Sequence, residues 1–337
     1  MKRITKLKNS IGFYSYASVG GREERRGPLG EKFDFCDKSD KFGQKTWELA
    51  ESEMSRISLN TALSKGNLSH EDISVVVAGD LQNQCVASAS GLYSFGIPFV
   101  GVYGACSTCT ESLMLLSSLM DSSENIVYGA AVTTSHNSAA ERQFRNPIEY
   151  GGQRAKTAQW TSTAGGAFIL KNGDCKVKIT EYMPGKIIDG STSDSSNMGG
   201  AMAFAAAESI ISYFEESGEN PFSFDYIVTG DLGRVGSDIL REIMAKEMPG
   251  TERLHTDCGL LLYDTKKQDA HSGASGCGTS ASVLASHFLP LLESEKLKNV
   301  LFLSTGALMS PQSLLQGETI LGIAPIIRLE SSKGEQK

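Results

Sequence analysis

The sequence predicts an α/β fold made of two halves that share one plan. Three kinds of segment recur in the same order: an apolar strand ending in Gly-Asp-Leu, a Gly-rich helix start, and a strand closing in small residues. The paired strings are ISVVVAGDLQN (73–83) with FDYIVTGDLGR (224–234), GACSTC (104–109) with GCGTSA (276–281), and NIVYGAAVTTS (125–135) with NVLFLSTGALMS (299–310). A preserved order with spacing that drifts in one direction is expected of a duplicated α/β unit. We assign the extra length of the second half to TERLHTDCGLLLYDTKK (251–267).

A helix precedes each Gly-Asp-Leu strand. Apolar residues repeat at helical spacing over residues 47–65, and Gly66 is placed to end that helix as its C-cap. Its counterpart covers residues 202–217. Strands that alternate with helices of this length predict mainly parallel sheets covered on both faces. We divide the chain into an N-terminal half, residues 1–172, and a C-terminal half, residues 173–337, with no linker between them.

Composition and charge argue against several classes of protein. The net charge is −7 and the sequence has no long basic stripe, which argues against nucleic-acid binding. The basic start MKRITKLKNS is not followed by an apolar segment, so we expect no signal peptide. No apolar stretch approaches the roughly 18–20 residues of a membrane span. The seven scattered cysteines do not form a disulfide framework and indicate a reducing, intracellular setting.

Cys106 lies where an apolar strand is followed by a helix. The string IPFVGVY (97–103) is typical of a buried strand, and Ser107 and Thr108 are good helix-capping residues. A thiol at a helix N-terminus lies in the field of unpaired N–H groups, which favours the thiolate. Three roles stay open: a structural cysteine, a pocket-lining thiol without turnover, or an acyl-transfer nucleophile. A redox or zinc role for the C-x-x-C pair with Cys109 is disfavoured, because Cys109 falls inside the helix and the sequence has no second such pair.

A cysteine at the start of a buried helix in a repeated α/β half resembles the thiolase-like fold, which thiolases and ketoacyl synthases share. A closer resemblance is carried by GPLG (27–30), AGDLQNQ (78–84), GACST (104–108), SHNSAAERQFRNPIEYGGQR (135–154), TGDLGRVGS (229–237), HTDCGLLLY (255–263), SGCGTSA (275–281) and STGALMSP (304–311). Together these strings resemble the stage V sporulation protein AD family of endospore-forming bacteria, over nearly the whole chain. The resemblance implies two pseudo-repeated halves in a layered αβαβα arrangement. It also implies a homodimer that binds dipicolinic acid, free or as its calcium chelate.

The residues that thiolase-type chemistry needs beside the cysteine are not found at the matching positions. Condensation requires a base near the thiol and donors for the oxyanion. In ketoacyl synthases the partners are a histidine after the first strand of the second half and a histidine or asparagine before a Gly-rich helix. These positions fall at residues 230–231, Gly-Asp, and 277–278, Cys-Gly. We therefore predict no catalytic residue and assign Cys106 to an inherited binding pocket.

The ligand contacts are predicted near this thiol and in the segment 135–154. That segment leaves the carboxyl end of a strand, where open α/β sheets bind ligands, and guanidinium groups fit planar carboxylates. The candidate binding residues are Cys106, Ser107, Thr108, His136, Asn137, Arg142, Arg145, Asn83 and Gln84. Each arginine has a structural alternative, in which Glu141 pairs with Arg145 or the segment braces a dimer surface. Asp80 and Asp231 are assigned to turn caps, because their positions match in the two halves.

The predicted function is a non-catalytic binding protein that supports uptake of dipicolinic acid into the developing spore. We expect no cofactor and no metal site of its own, so that any calcium arrives with the ligand. By resemblance, the partners are other stage V sporulation A membrane proteins. The predicted location is cytoplasmic, peripherally on the forespore or spore inner membrane. Two alternatives are an acyltransferase or condensing enzyme that uses Cys106, and an assembly scaffold for membrane partners whose pocket is vestigial.

Overall fold

A computed structural model describes residues 2–144 and 154–332. Within these residues the strands are β1 (Thr5–Gly20), β2 (Phe35–Cys36), β3 (Val76–Gly79), β4 (Phe99–Gly101), β5 (Tyr128–Ser135), β6 (Trp160–Thr161), β7 (Ala164–Asn172), β8 (Val177–Met183), β9 (Ile188–Asp189), β10 (Tyr226–Thr229), β11 (His255–Asp257), β12 (Ala274–Ser275), β13 (Asn299–Leu303), β14 (Gly306–Leu308), β15 (Leu321–Ile323) and β16 (Ile326–Ser331). The helices are α1 (Arg22–Arg26), α2 (Trp47–Gly66), α3 (Val86–Leu92), α4 (Thr108–Ser122), α5 (Asn137–Phe144), α6 (Met198–Ser217), α7 (Gly233–Glu247), α8 (Cys258–Leu262), α9 (Cys277–Val283), α10 (Leu289–Glu293) and α11 (Pro311–Leu315). No helix in the described residues has both the length and the hydropathy that crossing a bilayer requires.

One mixed sheet runs through both halves of the described chain. Its strand order is β11-β10-β13-β16-β8-β1-β7-β5-β3-β4, with β2 paired to β1. Each half contributes three parallel strands (β5, β3 and β4, or β13, β10 and β11) followed by two antiparallel ones, in the same order. The first strands of the halves, β1 and β8, pair antiparallel and join them. The sheet therefore contains the repeat that the strings predict. The division into domains at residues 172 and 173 stays a prediction, because the sheet is continuous across it.

Three hydrophobic clusters arrange these elements in five layers. In the middle layer, α4 and α9 pack between the two halves of the sheet, and Leu116 of α4 shares one cluster with Phe168 of β7 and Phe302 of β13. On the outer face of the first half, Leu59 of α2 packs against β5 and β7. On the outer face of the second half, Tyr213 of α6 packs against β10 and β13. The order is therefore helix, sheet, helix, sheet, helix.

Small residues allow α9 to enter the middle layer. A Cβ on Gly278 would lie 1.9 Å from the carbonyl oxygen of Ala164, and one on Gly166 would lie 2.7 Å from that of Ala281. Both separations are shorter than van der Waals contact, so glycine is required on the helix and on the facing strand. After α9 the helix continues through a π-turn, Leu284–Phe288, into α10.

Two local predictions need correction. The C-cap of α2 is not Gly66, which lies inside the helix, but Asn67, which has a φ of 52° and donates its N–H to the carbonyl of Leu63. Asparagine tolerates this left-handed conformation better than most residues. The other correction concerns the extra length of the second half. Its first part forms β11, a strand of the main sheet, so that only α8 and the loop after it lack a counterpart in the first half.

The layer order predicts that two neighbouring leucines of α4 contribute unequally to the free energy of unfolding. Leu116 is 0% exposed in the middle layer, and Leu115 is 40% exposed. We expect Leu116→Ala to lower the free energy of unfolding by about 2–5 kcal/mol. The matched control Leu115→Ala should lower it by less than about 1 kcal/mol. Urea unfolding followed by circular dichroism measures both values, and equal losses would contradict the burial of this helix between the sheets.

Candidate functional site

A small cavity lies where α4 and α9 begin, and both halves of the chain line it. Its volume is about 70 Å³. The lining residues are Leu81, Ala105, Cys106, Ala140, Glu141, Phe144 and Thr161 from the first half, and Ser195, Met198, Ser275, Gly276, Ala307 and Met309 from the second. Most of these side chains are apolar, and the described lining residues include no cation. We call this space the Cys106 cavity.

Cys106 reaches the cavity through an uncommon backbone turn. The preceding residue, Ala105, has a φ of 52°, in the left-handed region that few residues other than glycine adopt. A short 3₁₀ turn, Ala105–Ser107, then leads into α4 at Thr108. The cysteine is only 8% exposed. Strained backbone of this kind is concentrated at functional sites, which supports this one as the candidate.

The carboxyl group of Asp231 is the charged group that acts most strongly on Cys106. Its charge raises the pKa of the Cys106 thiol. The Asp231 oxygens accept from the Thr305 hydroxyl at 2.8 Å and from the Gly276 N–H at 2.8 Å. Burial raises the pKa of Asp231 to about 7. Asp231 therefore exchanges its proton near neutral pH while remaining inside the protein.

Asp231 reverses the effect expected for a thiol at a helix start. Burial, followed by the charge of Asp231, raises the pKa of the Cys106 thiol well above its usual value. The field of the helix N-terminus, which favours the thiolate, does not offset this rise in the pKa of Cys106. The thiol is therefore protonated at neutral pH, whereas an activated nucleophile needs a lowered pKa or an adjacent base that accepts the proton.

Two buried side chains hold the loop that carries Asp231. Asp257 of β11 accepts from the N–H groups of Leu232 at 2.8 Å and Gly233 at 3.0 Å. Gln159 donates from Nε2 to the carbonyl oxygens of Asp231 at 2.7 Å and Ala274 at 2.8 Å, which joins this loop to the start of α9. The Asp231 loop is therefore held from both sides, which fixes the place of its carboxyl group.

Ser107 and Thr108 do not line the cavity. Both are fully buried. The Ser107 hydroxyl lies 2.6 Å from the Gly104 carbonyl and 2.6 Å from Glu111 Oε1, while the Thr108 hydroxyl donates to the Ala105 carbonyl at 2.7 Å. These hydroxyl groups brace the turn that presents Cys106. Their role as ligand contacts stays a prediction.

The predicted residues of the segment 135–154 are distributed over other sites. His136 is buried, with Nε2 2.7 Å from the Asp40 carbonyl and its ring 5.4 Å from that of Trp47. Asn137 donates to the Thr161 carbonyl at 2.9 Å and lines a separate polar cavity of about 300 Å³. Arg142 is exposed and forms an ion pair with Glu48. Arg145 lies outside the described residues.

The two remaining predicted residues lie at the surface. Asn83 is exposed, and its side-chain oxygen accepts from the Tyr103 hydroxyl at 3.1 Å. Gln84 is exposed and has a φ of 59°. Of the predicted binding residues within the described ranges, Cys106 alone lines the Cys106 cavity.

All five histidines belong to the described residues, and none lines this cavity. His255 is buried in β11, where its Nε2 lies 2.8 Å from the Thr229 hydroxyl and burial lowers its pKa to about 3. His271 and His287 contact the Ala155 carbonyl and Lys32. Within the described ranges, no three acidic, cysteine or histidine side chains are grouped so that they could hold a metal ion.

Asp231 belongs to the surroundings of the candidate site, although the sequence analysis assigned it to a turn cap. Its counterpart Asp80 does cap a turn, since it accepts from the N–H groups of Gln82 and Ser88, each at 2.8 Å. Asp231 instead accepts from Thr305 and Gly276, which belong to other loops. One signal for a role at this site was the alignment of residues 230–231 with the histidine of ketoacyl synthases, which stays a prediction. The matched Gly-Asp-Leu strings instead favoured the assignment of Asp231 to a turn cap.

The effect of Asp231 on Cys106 predicts a change in thiol reactivity. We expect Asp231→Asn to lower the Cys106 pKa, because the substitution removes the negative charge that opposes thiolate formation. Alkylation of Cys106 by iodoacetamide at mildly alkaline pH should then be about tenfold faster. Peptide mass mapping gives the rate at each cysteine. Cys175, whose charged neighbours are Lys171, Lys178 and Asp174, is the internal control. An unchanged Cys106 rate would show that burial alone sets its pKa.

Comparison with known proteins agrees with this architecture. The family described as Stage V sporulation protein AD matches residues 1–330. The stage V sporulation protein AD of Bacillus subtilis (strain 168) is 40% identical over 333 residues, which covers 99% of this chain and 98% of that protein. Similar solved structures include cerulenin-bound OleA of Xanthomonas campestris, with a TM-score of 0.61, 12% identity and coverage of 96% of this chain and 98% of that one.

A second similar structure is 3-oxoacyl-[acyl-carrier-protein] synthase III of Aquifex aeolicus VF5, with a TM-score of 0.55, 12% identity and coverage of 94% of this chain and 99% of that one. At such identities the solved structures show the fold alone, and they confirm the predicted thiolase-like class. The match to the family and the identity to the Bacillus subtilis protein confirm the predicted resemblance. This chain belongs to the stage V sporulation protein AD family.

Proposed function

We propose that the chain is a non-catalytic binding protein for dipicolinic acid, which it takes up as the calcium chelate in the Cys106 cavity. The observation that carries the proposal is the burial of Cys106 in the wall of this cavity, where the charge of Asp231 raises the pKa of the thiol. A condensing enzyme needs a base that lowers the barrier to thiolate attack, and this carboxyl group raises the pKa of the thiol instead. Cys106 stands where a thiolase-like enzyme has its nucleophile, but a thiol with a raised pKa favours ligand binding over catalytic turnover.

The charge of the cavity supports the chelate over the free dianion. The described lining residues contain no cation, and the carboxylate Glu141 lies in the wall, where it accepts from the Thr161 hydroxyl at 3.1 Å. A free dianion would meet a carboxylate and no cation among the described lining residues, and burying a charge without a counter-charge is strongly unfavourable. Calcium cancels the two carboxylates of the ligand and accepts six to eight oxygen ligands, so carboxylate and hydroxyl oxygens of the wall complete its shell.

The size of the cavity requires side chains to move on binding. An apolar cavity that admits benzene has a volume of about 150 Å³, and the Cys106 cavity measures about 70 Å³. Phe144, at the end of α5, and Met309, after β14, are long side chains in its lining. Rotation of either side chain enlarges the space at modest cost, since methionine adapts readily to new shapes.

Calorimetry tests the proposed ligand. We expect heat of binding from dipicolinate with calcium, and about tenfold weaker binding for Glu141→Gln, which loses one carboxylate of the wall. Glu53→Gln is the matched control, because Glu53 pairs with Arg56 on α2, away from the cavity. Calcium alone gives the background. Absence of heat with dipicolinate, both with and without calcium, would refute the proposal.

The alternative function, acyl transfer, is favoured by the position of Cys106 and by the condensing enzymes among the structural neighbours. It makes a distinct prediction for the same samples. Incubation with acyl-coenzyme A followed by intact mass measurement would reveal a thioester on Cys106. We expect none, because burial and the charge of Asp231 keep the Cys106 thiol protonated at neutral pH. A thioester that forms and turns over would establish the enzyme in place of the binding protein.

We also propose a homodimer formed through β4. This strand is the last in the described sheet, so one of its edges has no partner there. Its residues Phe99 and Val100 are 40% and 39% exposed. An apolar edge strand of this kind invites pairing with another chain, and a two-fold axis would pair it with its own copy.

Sedimentation velocity tests the dimer. We expect Val100→Lys to shift the dimer toward a monomer, because it places a charge in the proposed interface. Val127→Lys is the control, since Val127 is 48% exposed, directly precedes β5 and does not lie on this edge. A wild-type chain that sediments as a monomer would contradict the proposal. Peripheral association with the forespore inner membrane, and contact with other stage V sporulation A membrane proteins, stay predictions that fractionation of sporulating cells tests.

A further inference from the structure

One wall of the Cys106 cavity is a short helix that buries little apolar surface. The helix is α5, and its Ala140 and Phe144 line the cavity. These two side chains are one helical turn apart and pack in one cluster with Leu81 and Cys106. Two of the eight residues of α5 are buried, and both are alanines. An element with so few buried apolar contacts opens at a low cost in free energy.

The loop of residues 81–85, between β3 and α3, forms the edge that α5 meets. Two successive residues of this loop, Gln84 and Cys85, have φ values of 59° and 54°. Residues other than glycine seldom adopt this left-handed region, and such backbone persists only where its surroundings fix it. The Cys85 thiol donates to the carbonyl of Val102, the residue after β4, at 3.1 Å. We call residues 81–85 the frame loop.

Gln82 fixes the frame loop from inside the protein. It is 4% exposed, and its Nε2 donates to Oε2 of Glu51, on α2, at 2.7 Å. Its N–H donates to Oδ1 of Asp80 at 2.8 Å. Glu51 and Asp80 are both 0% exposed. Hydrogen bonds to buried charged or polar groups are costly to break, so the frame loop is rigid.

The side chain of Gln143 joins α5 to the frame loop. Its Nε2 donates to the Leu81 carbonyl at 2.8 Å, and its Oε1 accepts from the Asn83 N–H at 3.0 Å. The Tyr103 hydroxyl donates to Asn83 Oδ1 at 3.1 Å, which steadies the same part of the loop. Gln143 is half-buried. Water therefore competes for its two bonds, and this connection breaks more easily than the buried bonds of the loop.

The first turn of α5 is held by other bonds. The Asn137 N–H donates to the Thr163 hydroxyl at 3.1 Å, and Asn137 Nδ2 donates to the Thr161 carbonyl at 2.9 Å. Glu141 accepts from the Thr161 hydroxyl at 3.1 Å. Arg142 forms an ion pair at the surface, where such pairs contribute little. Loss of the bonds to the frame loop therefore frees the end of α5 and leaves its start in place.

We infer that the end of α5 is a lid over the Cys106 cavity, hinged at the first turn of the helix and held closed by Gln143. When the two bonds of Gln143 break, Phe144 moves away from Cys106 and a passage opens between α5 and the frame loop. A small molecule then reaches a thiol that is 8% exposed in the closed protein. The inference does not rest on the proposed function, because it concerns the route to Cys106 and not the ligand that takes it.

Thiol alkylation tests the lid in the full chain. The probe is N-ethylmaleimide at mildly alkaline pH, and peptide mass mapping gives the rate at each cysteine. We expect Gln143→Ala to raise the rate at Cys106 about tenfold, because the loss of two hydrogen bonds raises the population of the open lid. An unchanged rate at Cys106 would overturn the inference.

Gln268→Ala is the matched control. The Gln268 side chain also joins two segments through one donated and one accepted bond, to the Glu23 carbonyl at 2.8 Å and from the Asp264 N–H at 3.0 Å. It does not line the Cys106 cavity, so we expect the wild-type rate at Cys106. A rise equal to that of Gln143→Ala would show that the rate does not report on α5.

Two other cysteines separate an opening lid from a general loosening of the fold. Cys109 lies about one turn further along α4 and is 1% exposed, and Cys85 of the frame loop is 4% exposed. We expect both to keep their wild-type rates in Gln143→Ala. A rise at Cys109 equal to that at Cys106 would indicate loosening of the core. A rise at Cys85 would show that the frame loop moves in place of α5, and either result would overturn the inference.

A second variant separates the bonds of Gln143 from its packing. Gln143→Met keeps the length of the side chain and forms neither bond, so we expect it to match Gln143→Ala at Cys106. The wild-type rate in Gln143→Met would show that packing holds α5 closed and would refute the role given to Gln143. Failure of the lid leaves the proposed binding of dipicolinate standing, and an absence of heat with dipicolinate leaves the lid standing, so the two proposals fail separately.

Discussion

The close packing of α4 and α9 between the two halves of the sheet is the constraint on which the rest of the structure depends. Neither half covers both faces of its own strands, so each needs the central helices. Gly278 and Gly166 allow α9 to touch β7, and the Thr110 and Ser304 hydroxyls, 2.8 Å apart, join α4 to the end of β13. Because both helices begin at the same place, Cys106, Gly276 and the loop of Asp231 converge there. The Cys106 cavity is a consequence of this packing.

The same convergence places the Asp231 carboxyl group where its charge raises the pKa of the Cys106 thiol. A buried carboxyl group beside a thiol opposes ionisation of that thiol, whereas a protonated imidazole in the same position would promote it. On the proposed function, this thiolase-like fold binds a ligand without turning it over. The bonds from Thr305, Gly276 and Gln159 keep the Asp231 loop in place, so the position of this carboxyl group is set by the architecture.

The sequence predicted the fold well because the relevant signals are local and repeated. Apolar strands ending in Gly-Asp-Leu, and Gly-rich helix starts at residues 104 and 276, correspond to β3, β10, α4 and α9. Side-chain partners were harder to predict, because they depend on contacts between segments distant in sequence. His136 contacts the carbonyl of Asp40, ninety-six residues away, and Arg142 pairs with Glu48. Each of these polar groups had several possible partners, and only the packing of α2 and of the loop before it decided among them.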